Sequence, residues 1–295
     1  MTSALSSTAE SLGTQKNEEP ARGGWLAFVA VAWLVLVLAA LRKSLVPDSG
    51  DLALAMAAGS LLQLTLAGIL AGAAMGLWAA GQLTRYPRPL VTSVAGLITG
   101  VLASLAVLFV RGMPSGAIWV LALALGLAGA IGGGLSVVRP AVMVRAGVIA
   151  TLVNLAFFNV MQFNSSWLLE VFGADGTDAG NKAAGGYLSF TQAALAGLLG
   201  GYLAYRVVRR SGLTLRWPSY LLAGGIPGLL WIVGDIITRV GVARLLTLAS
   251  VDPDGDKVIM HSLGASRINT GLMLFFVGGL TAMIAFGRTL KPREE

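Results

Sequence analysis

The sequence has no cysteine and a single histidine, His261, and each absence restricts the chemistry available to the chain. Without cysteine it forms no disulfide, has no thiol nucleophile and offers no thiolate to a zinc or iron–sulfur site. One histidine also excludes a metal site made of several histidines from one chain. No Walker loop, Gly-x-Ser-x-Gly motif or pair of intramembrane carboxylates is present. We therefore expect no cofactor and no metal, and an enzyme is the least favoured of the functions considered below.

One acidic motif resembles the beginning of a metal-binding loop. Asp252, Asp254 and Asp256 stand at alternate positions, as the first ligands of a calcium-binding loop do. The similarity ends there, because Lys257 takes the place of the required glycine and Leu263 that of the required glutamate. We interpret the motif as an acidic surface turn.

Charged residues are scarce, at 12% of the 295 residues, whereas hydrophobic residues make up 56%. A soluble domain averages roughly 25% charged residues, so this chain could not cover a globule of its size with polar surface. The apolar residues cluster in runs of about 20, the length that crosses a bilayer core as a helix. The net charge of +7 does not indicate nucleic-acid binding, because the basic residues lie at the ends of these runs and act as topology signals.

The apolar runs predict an all-α fold, a polytopic membrane helix bundle of about eight transmembrane helices. The fourth and fifth runs are nearly continuous, and Arg139-Pro140 marks the break because proline ends a helix. The expected spans are Trp25–Leu41, Leu52–Ala80, Leu90–Val110, Ser115–Val138, Pro140–Gln162, Gly186–Val207, Pro218–Val240 and Ile268–Gly287.

The basic residues also predict the orientation. With the N-terminus inside, most of the 21 lysines and arginines fall on the cytoplasmic side, and most acids fall outside. We therefore expect a disordered cytoplasmic tail at 1–23, a membrane domain at 24–288 with outer loops at 163–185 and 241–267, and a cytoplasmic tail at 289–295. This arrangement suits a multi-pass protein of the inner or plasma membrane with both termini in the cytoplasm.

A motif of small residues recurs along the chain and predicts repeated helical hairpins. A Leu-Ala-Gly triplet opens it in the second, fourth and sixth spans, a basic turn with proline follows, and the next helix begins with an Ala-Gly pair. The triplets lie at 70–72, 127–129 and 195–197, the pairs at 95–96, 146–147 and 223–224, and the last span carries half a unit, Gly278-x-x-x-Ala282.

Small residues four apart leave a flat strip on which a partner backbone can approach closely. Since both helices of each hairpin carry the strip near the cytoplasmic end, we expect each triplet helix to pack on the helix that follows it. An alternative is chance, because 39 of the 295 residues are glycine. The expected packing residues are Gly72, Gly76, Gly129, Gly133, Gly197 and Gly201.

Polar side chains gather in the outer half of the expected spans, where an amide in hydrocarbon is costly unless it finds a partner or water. One interpretation is a polar cavity open to the outside, and the other is hydrogen bonding between helices. Asp235 and Arg239 lie four residues apart, so they can pair on one helix face. The candidate cavity residues are Gln63, Asn154, Asn159, Gln192, Asp235 and Arg239.

These features favour a transport or permeation protein for a small solute or lipid, without its own ATPase. A non-catalytic subunit or scaffold of a membrane complex is the alternative, and a membrane enzyme using Asp235 or His261 is the third. The expected partners are the lipid bilayer and further membrane proteins or copies of the chain, and not nucleic acid.

Overall fold

The computed structural model describes residues 24–44, 50–108, 115–213, 215–249 and 253–289, with side chains from residues 24–43, 58–108, 116–213, 215–245 and 267–289. The described part is a bundle of helices without strands. The helices are α1 Gly24–Ser44, α2 Gly50–Gln82, α3 Arg88–Leu108, α4 Ser115–Leu135, α5 Ala141–Phe163, α6 Ser165–Val171, α7 Asp178–Arg210, α8 Trp217–Ala249 and α9 Pro253–Gly287. The expected tail at 1–23 and most of the one at 289–295 lie outside the described residues.

Seven of the described helices are long and apolar enough to cross a membrane, one fewer than we expected. The missing one is α7, which contains the expected sixth span and is 33 residues long. Its length would suffice, but glycines, tyrosines and Gln192 dilute its apolar residues. The chain is therefore a polytopic helix bundle in which α7 is the least apolar of the long helices.

Two segments expected to be outer loops are largely helical. In 163–185, α6 covers the short apolar stretch and α7 already begins at Asp178. Thr177 caps α7, since its hydroxyl accepts a hydrogen bond from the Gly180 amide. In 241–267, α8 continues to Ala249 and α9 begins at Pro253, because proline suits a first helical position, where no backbone donor is needed.

The second helix, α2, lies at the centre of the bundle. Within its spanning window 78% of the residues are buried, against 28% for α9. One face of α2 packs, through Leu66 and Ile69, into a hydrophobic core shared with α5, α7 and α8. Another face packs, through Leu61 and Leu64, into a second core with α1, α3 and α4. The helix α2 thus joins α1, α3 and α4 to α5, α7 and α8.

Glycines of α4 allow this helix to sit tightly between α2 and α3. A Cβ atom added to Gly133 would lie 2.7 Å from the Cα atom of Gly96 in α3, and one added to Gly132 would lie 2.7 Å from the Ala73 amide nitrogen in α2. Such distances are too short for any side chain, so both neighbours meet bare α4 backbone. The Ser136 hydroxyl strengthens the contact by donating to the Ala73 carbonyl of α2 at 2.7 Å.

The same arrangement recurs in the second half of the chain, where α9 lies between α7 and α8. Added Cβ atoms on Gly201 of α7 and Gly224 of α8 would each lie 2.9 Å from the carbonyl carbon of Gly278 in α9. One added to Gly228 of α8 would lie 2.5 Å from the carbonyl oxygen of Gly271. In both halves the last helix therefore packs its glycines against glycines of two partner helices.

The structure contradicts the expected pairing of α4 with α5, and in the other two hairpins it places a third helix against the triplet glycines. Gly129 and Gly133 pack on α3 and not on α5, and Gly147 of α5 faces Ile226 of α8. Gly197 and its neighbour Gly201 pack on α9 and not directly on α8. Gly72 faces Gly129 of α4, and Gly76 touches both α3 and α4. The prediction paired each helix with the next one in the sequence. A helix with glycines on two faces can instead pack closely on a different partner at each face.

Candidate functional site

The structure does not bring the six candidate cavity residues into one place. Gln63 is exposed on the surface of α2, and Gln192 of α7 is half-buried. Asn159 of α5 donates its side-chain amide to the Leu155 carbonyl of its own helix at 2.9 Å. Asn154 and Asp235 are buried inside the bundle, and Arg239 is half-buried. The two buried candidates, Asn154 and Asp235, do not open to the outside in this structure.

Asn154 is buried in the middle of α5, with 2% of its surface exposed. Its side chain lies against Gly200 of α7, where an added Cβ atom would come within 2.8 Å of Nδ2. Neither its amide nitrogen nor its oxygen has a hydrogen-bond partner. Because a buried polar group without partner costs free energy, a native amide in this position calls for water, a ligand or a second conformation.

Asp235 is wholly buried in α8 and pairs with Arg239 of the next turn. The Arg239 Nε donates to Asp235 Oδ2 at 2.8 Å, while Oδ1 has no partner. Arg267, near the start of the apolar part of α9, lies within electrostatic reach of both residues. The cluster thus holds one acid and two bases, and one oxygen of the Asp235 carboxylate has no hydrogen-bond partner.

An aromatic contact lies between these two polar groups. The rings of Phe158 of α5 and Trp231 of α8 are 4.9 Å apart between centroids. Phe158 follows Asn154 by one turn, and Trp231 precedes Asp235 by one turn. Since α5 and α8 run in the same direction, Asn154 lies on one side of the aromatic pair and Asp235 on the other. The indole Nε1 of Trp231 is also buried without a partner.

We call Asn154, Phe158, Trp231 and Asp235 the polar row, because unpaired polar atoms alternate there with aromatic rings. The sequence analysis included Asn154 and Asp235, at the two ends of the row, and did not include Phe158 and Trp231 between them. Trp231 lies one turn from an intramembrane acid, which was a usable signal. Arg267 was expected at the end of the outer loop 241–267, and only the packing of α9 on α8 brings it within electrostatic reach of Asp235.

The polar row combines side chains that can form hydrogen bonds with a polar solute. An amide, an indole N–H and a carboxylate offer both donors and acceptors. The side chains of His261 and Ser115, which a catalytic use of Asp235 would have needed, lie outside the described part. No family model matches the chain, and comparisons with curated proteins and with solved structures also find no match.

Proposed function

We propose that the protein is a membrane transport protein for a small polar solute, driven without an ATPase of its own. The observation that carries the proposal is the polar row, in which Asn154, Trp231 and Asp235 keep buried polar atoms without partners. A bundle held together only by interhelical hydrogen bonds would pair these atoms, as Ser136 is paired with Ala73. Unpaired groups in hydrocarbon suit a site that a solute or water visits in another conformation.

The structure then corresponds to a closed form. The rings of Phe158 and Trp231, in the middle of the polar row, close the path between Asn154 and the Asp235–Arg239 pair. Passage requires the aromatic rings to separate, and α8 has a feature that suits movement. Pro227 lies inside α8 and removes a backbone hydrogen bond one turn before Trp231. A bend at Pro227 would move Trp231 relative to Phe158.

The glycine contacts support two similarly packed halves. In the first half α4 packs on both α2 and α3, and in the second α9 packs on both α7 and α8. The shared sequence motif follows the same order, so we take the repeat to be a unit of three packed helices preceded by α1 or α5. If α7 crosses the membrane, each half has four spans and both halves have the same orientation, as in parallel transporter repeats. With the N-terminus inside, both termini then lie in the cytoplasm and the Asp235 end of the row lies on the outer side.

Water access to Asn154 tests the transport proposal. Because the chain has no cysteine, the variant Asn154→Cys carries a single reporter thiol. We expect it to react with a membrane-impermeant methanethiosulfonate reagent in intact cells. Val148→Cys, on a wholly buried position of the same helix, is the matched control and should stay protected. Equal protection of both thiols, in cells and in inside-out vesicles, would contradict the transport proposal.

The aromatic pair makes a second prediction on the same reporter. Removing the ring in Asn154→Cys/Phe158→Ala should speed labelling from the side on which Asp235 lies, because the ring blocks that approach. Labelling from the other side should change little, since Gly200 and its helix still cover Asn154 there. The control is Phe276→Ala, which removes an exposed ring of α9 away from the row. An unchanged rate in the Phe158 variant would show that the pair is no barrier.

A non-catalytic membrane subunit is the second candidate, and one observation favours it. Asn154 and Asp235 are 2% and 0% exposed, so the described residues pack without an open passage to either. A subunit that only docks with other membrane proteins or with its own copies needs no passage. Protection of Asn154→Cys under every condition is the result that this candidate expects.

A further inference from the structure

A groove of about 900 Å³ lies between the ends of α7 and α9, away from the polar row. Four arginines line it: Arg206, Arg209 and Arg210 from α7, and Arg288 from the end of α9. No carboxylate is among the residues that line it. The helices α7 and α9, which are distant in the sequence, therefore both contribute guanidinium groups to the groove.

The helix ends reduce this positive charge without cancelling it. Both α7 and α9 end at the groove, and a helix C-terminus carries roughly half a negative charge. Four guanidinium groups thus exceed the two helix ends by about three charges. The Asp235–Arg239 ion pair lies elsewhere in the bundle. The groove is accordingly a strong attractor for anions.

Aromatic rings hold two of the arginines in place. The guanidinium of Arg206 lies 5.9 Å from the centre of the Tyr202 ring, and that of Arg209 lies 5.8 Å from the centre of Tyr205. Arg209 also donates a hydrogen bond to the Tyr205 hydroxyl. Such contacts lower the entropy that the side chains lose when they bind a ligand.

The groove continues into an apolar wall. Leu198 of α7 lines its deeper part, and Ile284 of α9 lies one turn before Arg288; both are about half exposed, and Thr281 and Ala285 of α9 also line the groove. Leu198 precedes Arg209 by 11 residues, or about 16 Å of helix. The arginines lie at the depth of lipid headgroups if α7 spans the bilayer, and the apolar wall then lies at the depth of acyl chains.

From these observations we infer that the groove binds the phosphate-bearing headgroup of an anionic phospholipid, with an acyl chain along Leu198 and Ile284. The lipid is a bound partner and not the transported solute, so the inference does not depend on the proposed function. A basic pocket between membrane helices has the chemistry that recognises such headgroups. Arginine suits it because a planar guanidinium forms two parallel hydrogen bonds to phosphate.

Lipid titration of the delipidated protein tests the inference. We expect native mass spectrometry to show that phosphatidylglycerol binds about tenfold or more tightly than phosphatidylcholine at the first site. The variant Arg206→Gln/Arg210→Gln/Arg288→Gln should lose affinity for phosphatidylglycerol by up to a hundredfold, on the order of fivefold per arginine. Binding of phosphatidylcholine should change little. Arg209 is retained because it is bonded to Tyr205.

The matched control is Arg85→Gln/Arg139→Gln/Arg216→Gln, which removes the same charge from exposed arginines outside the groove. It should keep the preference for phosphatidylglycerol. An equal loss in both triple variants would mean that general surface charge attracts the lipid, and the groove would then have no special role. If the glutamine variant fails to fold, the lysine triple at the same positions keeps the charge and should bind several-fold more weakly, because lysine lacks the planar fork. Unchanged affinity in the lysine triple would also overturn the inference.

Inorganic phosphate distinguishes a lipid from a free anion. At millimolar concentration it should not displace phosphatidylglycerol, since the acyl chain supplies apolar contact that phosphate lacks. Displacement by phosphate alone would assign the groove to a soluble anion and contradict binding of a lipid.

Discussion

Replacing Gly129 by alanine is expected to destabilise the bundle strongly. An added Cβ atom would lie 2.6 Å from the Gly100 amide nitrogen and 2.9 Å from the Gly96 carbonyl oxygen, both of which are backbone atoms of α3. Backbone cannot turn aside as a side chain can, so α3 and α4 must move apart. Overpacking typically costs about 1–3 kcal/mol, and we expect the upper end here because the whole helix pair must adjust.

The control for Gly129 lies five residues along α4. Gly134 is exposed, and an added Cβ atom meets nothing within 4 Å. Gly134→Ala should therefore leave the melting temperature unchanged or raise it, because alanine favours the helix. The two variants are compared by thermal unfolding in detergent and by yield of monodisperse protein. A stable Gly129→Ala protein would contradict the close packing of α3 and α4.

Asp235→Asn is expected to reduce folded yield strongly. The carboxylate is wholly buried, and it offsets both Arg239 and the nearby Arg267. Breaking a buried pair by removing one partner costs about 3–5 kcal/mol, because the other charge stays behind. We expect the lower end of that range, since 39% of the Arg239 side chain is exposed and its charge can reach water.

The double variant Asp235→Asn/Arg239→Gln separates a structural from a functional carboxylate. It restores the net charge of the cluster, so folded yield should recover. If the carboxylate also serves transport, the recovered protein should label more slowly at Asn154→Cys than the parent does. Normal yield of the single variant would show that Arg239 and Arg267 find other partners, and the cluster would lose its structural role.

The positions of the spans followed from local sequence. The run Leu52–Ala80 corresponds to α2 at Gly50–Gln82, and Pro140–Gln162 corresponds to α5 at Ala141–Phe163. Length and hydropathy decide such boundaries within the segment itself. The beginning of α7 was not predicted, although the sequence carries a signal for it. Thr177 followed by Asp178 is a usual start of a helix.

The partners of the helices could not be obtained in the same way. Gly129 and Gly132 lie three residues apart, yet an added Cβ atom would meet α3 at Gly129 and α2 at Gly132. The sequence marks both glycines as narrow points but contains nothing local that names the neighbour. The assumption that consecutive helices form hairpins therefore failed for α4 and α5, which scarcely touch.

The polar site shows the same limit. Pairing of Asp235 with Arg239 follows from their spacing on one helix. The contact of Trp231 with Phe158, and the approach of Arg267, depend on three helices that are distant in the chain. Local pattern thus gave the ion pair, whereas the aromatic barrier and the second arginine needed the tertiary structure.

The crossing of α7 is the point on which the transport account rests most directly. Its Gly200 covers Asn154 and its Gly201 packs on α9, yet α7 is the long helix that falls short of the apolar composition of a span. The test uses single cysteines at Ser166, before α7, and at Ser211, after it, both of which are exposed. Impermeant maleimide should label Ser166→Cys in intact cells and Ser211→Cys only in inside-out vesicles. Labelling of both positions from the same side would contradict the account, because α7 would then not cross the membrane.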